Sequence, residues 1–317
     1  MIEFISIVGY LIISGGMTAV LLLLVWLSDR YEREPLWIVF LAVLWGALPS
    51  IFFSCLFETA LGVPISAVAG KPAAEIVGTV LIAPPTEELA KAGALLVVIL
   101  FFRKEFDDVM DGLVYGAAVG IGFSFVEDFT YFVGGIIDSG VVGGGANFAL
   151  RNFAFILNHS LFTSITGIGF GLARVYHKDL IAKFAWPIAG LCGAIGLHAT
   201  HNLLSVLKLP GMIAALFIHW TGGLGLLCLI PALWAIERRM ILQRLAAEVQ
   251  EGHIPEAALA ALPFSRRIAK LPPRSRAPLR QSLQQLAFLR KQHEDGWDRD
   301  AGGRIEALRA RIVALCA

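Results

Sequence analysis

The sequence predicts an all-α fold: a polytopic membrane helical bundle of about seven transmembrane helices, followed by a cytoplasmic helical tail. Three observations carry this. Hydrophobic residues make up 57% of the 317 and charged residues 16%, against about 25% charged in an average soluble domain. The apolar residues gather into segments near the ~20 residues needed to cross a bilayer. After residue 236 the pattern changes, with 15 Lys/Arg and 9 Asp/Glu and no long apolar run.

Seven segments fit a span: 5–27, 36–57, 76–102, 110–133, 152–175, 184–206 and 212–236. The first has no basic leader or small-residue cleavage site, so it reads as a retained helix. The third contains Pro84-Pro85 in its first turns and then Glu87, Glu88 and Lys91. In the tail, positions 281–292 and 304–316 have amphipathic helical spacing, and no packed-core pattern is evident. Cys55, Cys192, Cys228 and Cys316 form no paired motif and read as packing residues. The expected organisation is a membrane domain over 1–236 and a basic cytoplasmic tail over 237–317.

Orientation follows from the basic residues of the loops. The first, third and fifth loops carry seven (Arg30, Arg33, Arg103, Lys104, Arg174, Lys178 and Lys183). The second, fourth and sixth carry Lys71, Arg151 and Lys208. The chain is thus expected in the cell membrane as a multi-pass protein, N-terminus outside and C-terminus cytoplasmic.

Charged groups deep in a bilayer are costly and usually mark function. Glu87 and Glu88 fall eleven and twelve residues into the third segment, about 17 Å deep at 1.5 Å per residue. Lys91 can pair with either at i,i+4 or i,i+3. Glu127, His159, His198, Asn202 and His219 lie in the outer halves of four other segments. Rare polar residues sharing one layer suggest one buried site. Gly112, Gly116 and Gly120 form a small-residue ridge suited to close helix packing, and Glu127 continues that face. Plainer readings apply elsewhere. Glu58 and Glu75 read as interfacial, and Asp107, Asp108 and Asp111 as solvated at a helix end. His201 and His219 read as structural hydrogen-bonding residues.

Five ordered motifs resemble the PrsW family of intramembrane proteases, within the superfamily of the CAAX prenyl proteases and bacteriocin-processing enzymes. They are "DRYEREP" (29–35), "EELAK" (87–91), "DGLVYGAAVGIGFSFVED" (111–128), "FILNH" (155–159) and "HATHN" (198–202). Asp128 stands where the family usually has Asn. The resemblance implies an intramembrane endopeptidase, a metallopeptidase acting on membrane-anchored proteins. It implies Glu87 or Glu88 as the base, and His159 and His198 as metal ligands or oxyanion donors. Asn202 would orient a histidine or the substrate carbonyl, and Glu127 would be a further ligand or support. Lys91 would hold the carboxylates ionised. Zinc is the expected ion, since glutamate and two histidines make a reasonable set for it. The spacing lacks the HExxH pattern, and a metal-independent glutamate mechanism is the alternative. The rival function is a transporter or proton-coupled carrier using the same Glu/His/Lys cluster. The expected partners are the lipid bilayer and a protein substrate, with no nucleic acid. The tail is expected to meet anionic lipid or a cytoplasmic partner, through "FSRRIAKLPPRSR" (264–276) above all.

Overall fold

A computed structural model describes residues 1–263 and 273–317, and the described residues are almost wholly helical without a strand. The lipid-contact residues expected at Phe264, Arg266, Arg267, Ile268, Lys270 and Leu271 lie outside the described residues. Two compact units form, Met1–Asp29 with Glu34–Leu229, and Arg30–Arg33 with Ile230–Ala317.

The first unit begins with α1 (Ile2–Ser28). Next come α2 (Leu36–Trp45) and α3 (Ile51–Ala69), joined through a π-helical turn at Gly46–Ser50. Then α4 (Lys71–Val77) runs through a second π turn, Gly78–Ile82, into α5 (Ala83–Phe101). Helix α6 (Val109–Ala149) leads through a third π turn, Leu150–Ala154, to α7 (Asn158–Val175) and α8 (Leu180–Val206). Helix α9 (Lys208–Gln250) contributes residues to both units.

Among the described residues, five helical stretches are long and apolar enough to cross a membrane: 2–28, 36–69, 109–175, 180–206 and 208–250. Seven segments were expected, and two physical causes account for the difference. The stretch 109–175 holds two expected segments, 110–133 and 152–175, connected by helical chain that turns back at Ser139–Gly140. The expected third segment carries three charged residues in its interior. Helix α6 itself is not straight. Ser139 and Gly140 leave helical geometry, with Gly140 at φ 67°. The chain then folds back, so that Asn147 donates to the carbonyl of Tyr131 at 2.8 Å. A side chain rarely adopts such a φ, and glycine does so freely.

The first half of α6 is the centre of the unit, with Met110 through Phe123 buried on every side. It packs against α7 through the expected ridge. A β-carbon at Gly112, Gly116 or Gly120 would run into the backbone of Gly167, Thr163 or His159 respectively. On another face, Gly122 meets Val43 and Gly46 meets Val119 in the same way. These contacts bring the helix backbones close enough for short side chains to reach across. Outward-facing apolar residues such as Ile12, Leu24, Phe52, Ile181 and Phe217 are exposed, as lipid contact requires.

At the end of α6 that holds Val109, the aspartates depart from the solvated reading. Asp107 and Asp111 are buried, and Asp108 and Asp111 form a capping box that satisfies the first amides of α6. Tyr115 donates to Glu34 beside them. Arg174, counted above as a loop charge, is also buried and donates to the carbonyls of Phe106 and Arg103 at 2.7 and 2.6 Å.

The second unit corrects the picture of a tail without a core. The end of α9, α10 (Pro273–Glu294) and α11 (Gly302–Cys316) enclose Leu245, Leu279, Leu283, Leu286, Phe288 and Ile305. Glu248 is buried there and accepts from Arg309 Nε at 2.7 Å and from Arg290. The expected amphipathic helices at 281–292 and 304–316 fall inside α10 and α11.

Candidate active site

The site starts with how α5 starts. Ala83 N–H bonds Gly78 O in π register, so Thr79 O would need the N–H of residue 84. Residue 84 is proline and has none. Asn202, from α8, supplies the missing donor, its Nδ2 lying 2.8 Å from Thr79 O. The π turn and the proline pair thus fix the register of α5, and a side chain from another helix holds that turn in place.

One turn further on, Glu87, Glu88 and Lys91 are all buried. Lys91 Nζ lies 3.0 Å from Glu87 Oε2, 2.9 Å from Glu88 Oε1 and 2.8 Å from His159 Nδ1. Those three acceptors use all three donors of an ammonium. Nζ also sits 3.6 Å from the ring centroid of Phe123, a cation–π contact. Since an ammonium only donates, His159 Nδ1 accepts, and its proton is on Nε2. That nitrogen faces Glu127 Oε2 at 2.7 Å.

His198 is held in the same manner. Its Nδ1 lies 3.1 Å from Glu88 Oε1, and its ring stacks on Phe162 with centroids 4.9 Å apart. Thr163 Oγ1 adds a second donor to Glu88, at 3.3 Å from Oε2. Each histidine therefore has one nitrogen fixed by a carboxylate behind it. The other nitrogens turn toward Glu87 Oε2, His159 Nδ1 at 3.9 Å and His198 Nε2 at 4.0 Å.

These groups stand at the wall of a cavity of about 770 Å³. Glu87, His159 and His198 line it together with Glu127, Asp128, Arg151 and Asn202. Glu88 does not line it and is fully buried. The structure thus brings together six of the seven expected site residues: Glu87, Glu88, Lys91, His159, His198 and Glu127. Asn202 lines the same cavity, but its amide serves Thr79 rather than an imidazole.

Several members were not anticipated. Thr163 lies four residues after His159, a spacing that places it on the same helical face. Arg151 was counted as a loop charge, but it is ion-paired with Glu127 and Asp128. Its signal was present, because it is the sole Lys or Arg between Lys104 and Arg174. Glu58, expected at the interface, also lines the cavity and accepts from Thr86 at 3.3 Å. His201 meets Asn158 Nδ2 at 3.0 Å, and buried His219 packs edge-on against Phe155.

The donors of Glu87, Glu88, His159 and His198 fit a metal ion in kind. One ligand atom from each lies within 4.8 Å of all the others. Carboxylate and imidazole donors suit zinc. The carboxylates behind the two rings match the support that metal-bound histidines commonly receive. The lone pair of His159 Nδ1 is used by Lys91, so an ion taking that lone pair leaves Lys91 to the two glutamates.

Residues 34–236 match the PrsW family intramembrane metalloproteases. The chain belongs to that family. The match runs through all four helices that carry the site. Three relatives bear the name Protease PrsW. The one from Geobacillus kaustophilus (strain HTA426) is 30% identical over 206 residues, 62% of this chain and 80% of the relative. Those from Oceanobacillus iheyensis and Bacillus subtilis (strain 168) are 26% and 27% identical. They cover 61% and 67% of this chain, and 82% and 93% of their own lengths. No solved structure matches the chain. As a PrsW-family member with several membrane-crossing helices, the protein is a multi-pass intramembrane protease.

Proposed function

We propose that this PrsW-family protease hydrolyses peptide bonds of membrane-anchored proteins at Glu87, with His159 and His198 as the residues that hold a zinc ion beside it. The observation that carries this reading is the division between the two glutamates. Glu87 borders the cavity, whereas Glu88 is sealed behind it against His198, Thr163 and Lys91. A group that exchanges a proton with a water or a substrate has to be reachable from the cavity. Glu87 meets that condition, and Glu88 braces His198.

Glu87 takes a proton from the attacking water as its oxygen bonds to the carbonyl carbon. It then returns the proton to the departing amine as the carbon–nitrogen bond breaks. Lys91 offsets the charge of the buried glutamates through its ion pairs with both. Zinc held by His159 and His198, with Glu87 adjacent, would supply a Lewis acid and acidify its bound water. Glu127 fixes the His159 ring, and Asn202 positions α5 through the Thr79 carbonyl. No observation favours the carrier reading.

The catalytic machinery lies within 1–236, and residues 237–317 take no part in the chemistry. The N-terminus is outside and the C-terminus cytoplasmic. Setting aside Arg151 and Arg174, which serve inside the bundle, the loop charges still favour that orientation, six against two. A C-terminal reporter active only outside the cytoplasm would reverse it.

The metal assignment is tested on purified protein. Stoichiometric zinc is expected in the wild type and should be lost in His159→Ala/His198→Ala. Full cleavage after rigorous chelation, with no metal detected, would instead support a glutamate acting alone.

A further inference from the structure

The chain between Asp128 and Arg151 makes a glycine-rich helical hairpin that breaks at Ser139 and Gly140. Arg151 closes its base. Its Nε pairs with Asp128 Oδ1 and its Nη2 with Glu127 Oε2, and its guanidinium carbon lies 4.0 Å from the Tyr131 ring centroid. Arg151 thus holds the outgoing arm from the π turn that follows the returning arm. Both Tyr131 and Arg151 line the active-site cavity.

A salt bridge at a hairpin base could be architecture alone. The atom it uses argues for more. Glu127 Oε2, the oxygen that accepts from Arg151, is the same oxygen that lies 2.7 Å from His159 Nε2. A carboxylate with one oxygen shared between a guanidinium and an imidazole cannot turn without moving relative to both. Asp128 and Tyr131 hold the guanidinium from two further sides, and the planar fork of arginine suits this two-carboxylate arrangement in a way that lysine does not. The Asp at 128 takes part directly, through Arg151 Nε.

We infer that Arg151 is a positioning residue for peptide hydrolysis. It orients Glu127, which in turn fixes the His159 ring so that Nδ1 faces Glu87. Arg151 acts without touching the scissile bond, and the hairpin it closes is thereby tied to the histidine. This inference rests on the reading of His159 as a zinc-holding residue.

The test is a double-mutant cycle on the purified full chain in nanodiscs, with a single-span reporter peptide as substrate. The variants are R151Q, E127Q, R151Q/E127Q, R151K and D128N. Losing the support of a metal-bound histidine commonly costs about 10–100-fold. R151Q should lower kcat by that order and leave KM within about two-fold. E127Q should do the same, and R151Q added to E127Q should cost less than about three-fold more, since residues acting through one another are not additive. D128N should lose less than R151Q, because the Arg151–Glu127 pair survives. Zinc retained after dialysis against a weak chelator should fall in R151Q and E127Q alike, giving a readout independent of turnover. If R151Q fails to fold, R151K serves in its place, with activity between wild type and E127Q.

A full multiplicative loss in R151Q/E127Q would overturn the inference, because Arg151 would then act independently of Glu127. So would a raised KM with kcat intact, which would make Arg151 a substrate contact. If His159→Ala keeps both zinc and turnover, the underlying reading of the site has failed, whatever Arg151 does.

Discussion

Glu88 Oε1 lies 3.1 Å from His198 Nδ1, and this contact sets which imidazole nitrogen is left for the cavity. Because Glu88 is closed off and Glu87 is not, the two adjacent glutamates should respond differently to the same substitution. Glu87→Gln removes the proton acceptor, and cleavage should fall to background. Glu88→Gln weakens the hold on His198, and zinc affinity should drop about 10–100-fold, with part of the activity regained in excess zinc. Turnover measured against added zinc separates the two. Equal, zinc-insensitive losses would show that both glutamates serve the same role.

The glycine ridge makes a second prediction. A β-carbon at Gly120 would overlap the carbonyl of His159, whereas none of the surroundings comes within 4 Å of one at Gly134. Gly120→Ala should force α6 and α7 apart, at a cost of about 1–3 kcal/mol for overpacking. It should also lower cleavage by displacing His159. Gly134→Ala should change neither. Thermal unfolding in detergent and peptide cleavage check the pair, and an active, stable Gly120→Ala would remove the packing argument.

The glycine ridge was legible in the sequence because helical spacing alone put Gly112, Gly116, Gly120 and Glu127 on one face. Glu87, Glu88 and Lys91 were legible because charge is rare in an apolar segment. Other features depend on tertiary placement that local spacing does not encode. Nothing near Asn202 shows that Pro84 leaves a carbonyl without a donor on another helix. Arg151 looked like a loop charge because the fold-back at Ser139–Gly140 has no proline to mark it. Asp107 and Asp111 looked solvated because acidic residues at a helix end usually are, but both are buried, and Asp111 caps α6 together with Asp108. The tail core is not legible because its apolar residues are divided among α9, α10 and α11, and the amphipathic spacing of each does not show which faces meet.

Glu34 supplies a prediction about pH. Burial, reinforced by the neighbouring charge of Asp111, holds the Glu34 carboxyl well above the usual carboxylate range. It lies in the connection between α1 and α2, beside Asp29, Asp111 and Tyr115. A carboxyl that binds its proton more tightly when folded gives stability that is complete below the unfolded value, near 4.3. That stability is lost as pH rises through the folded value, at up to about 1.4 kcal/mol per pH unit. Glu34→Gln mimics the protonated form and removes this dependence. Wild type minus Glu34→Gln stability should therefore decline from about pH 5 upward. A difference that grows with pH would mean that Glu34 is ionised in the fold.

The second unit should fail without taking the chemistry with it. Leu283 and Leu286 are fully buried in its core, and a buried Leu→Ala change costs about 2–5 kcal/mol. Leu283→Ala/Leu286→Ala should expose residues 237–317 to limited proteolysis. Cleavage of a short transmembrane peptide should stay within about two-fold, as expected for changes remote from the reacting groups. A proteolysed but inserted protein that no longer cleaves that peptide would show that the unit is required for catalysis.

The most direct measurement is cleavage of a single-span reporter in proteoliposomes containing purified wild-type protein or Glu87→Gln, with the products identified by mass spectrometry. Wild type should release fragments ending at a defined bond within or beside the span, and folded Glu87→Gln should release none. The same fragments at the same rate from Glu87→Gln would contradict hydrolysis at the cavity carboxylate.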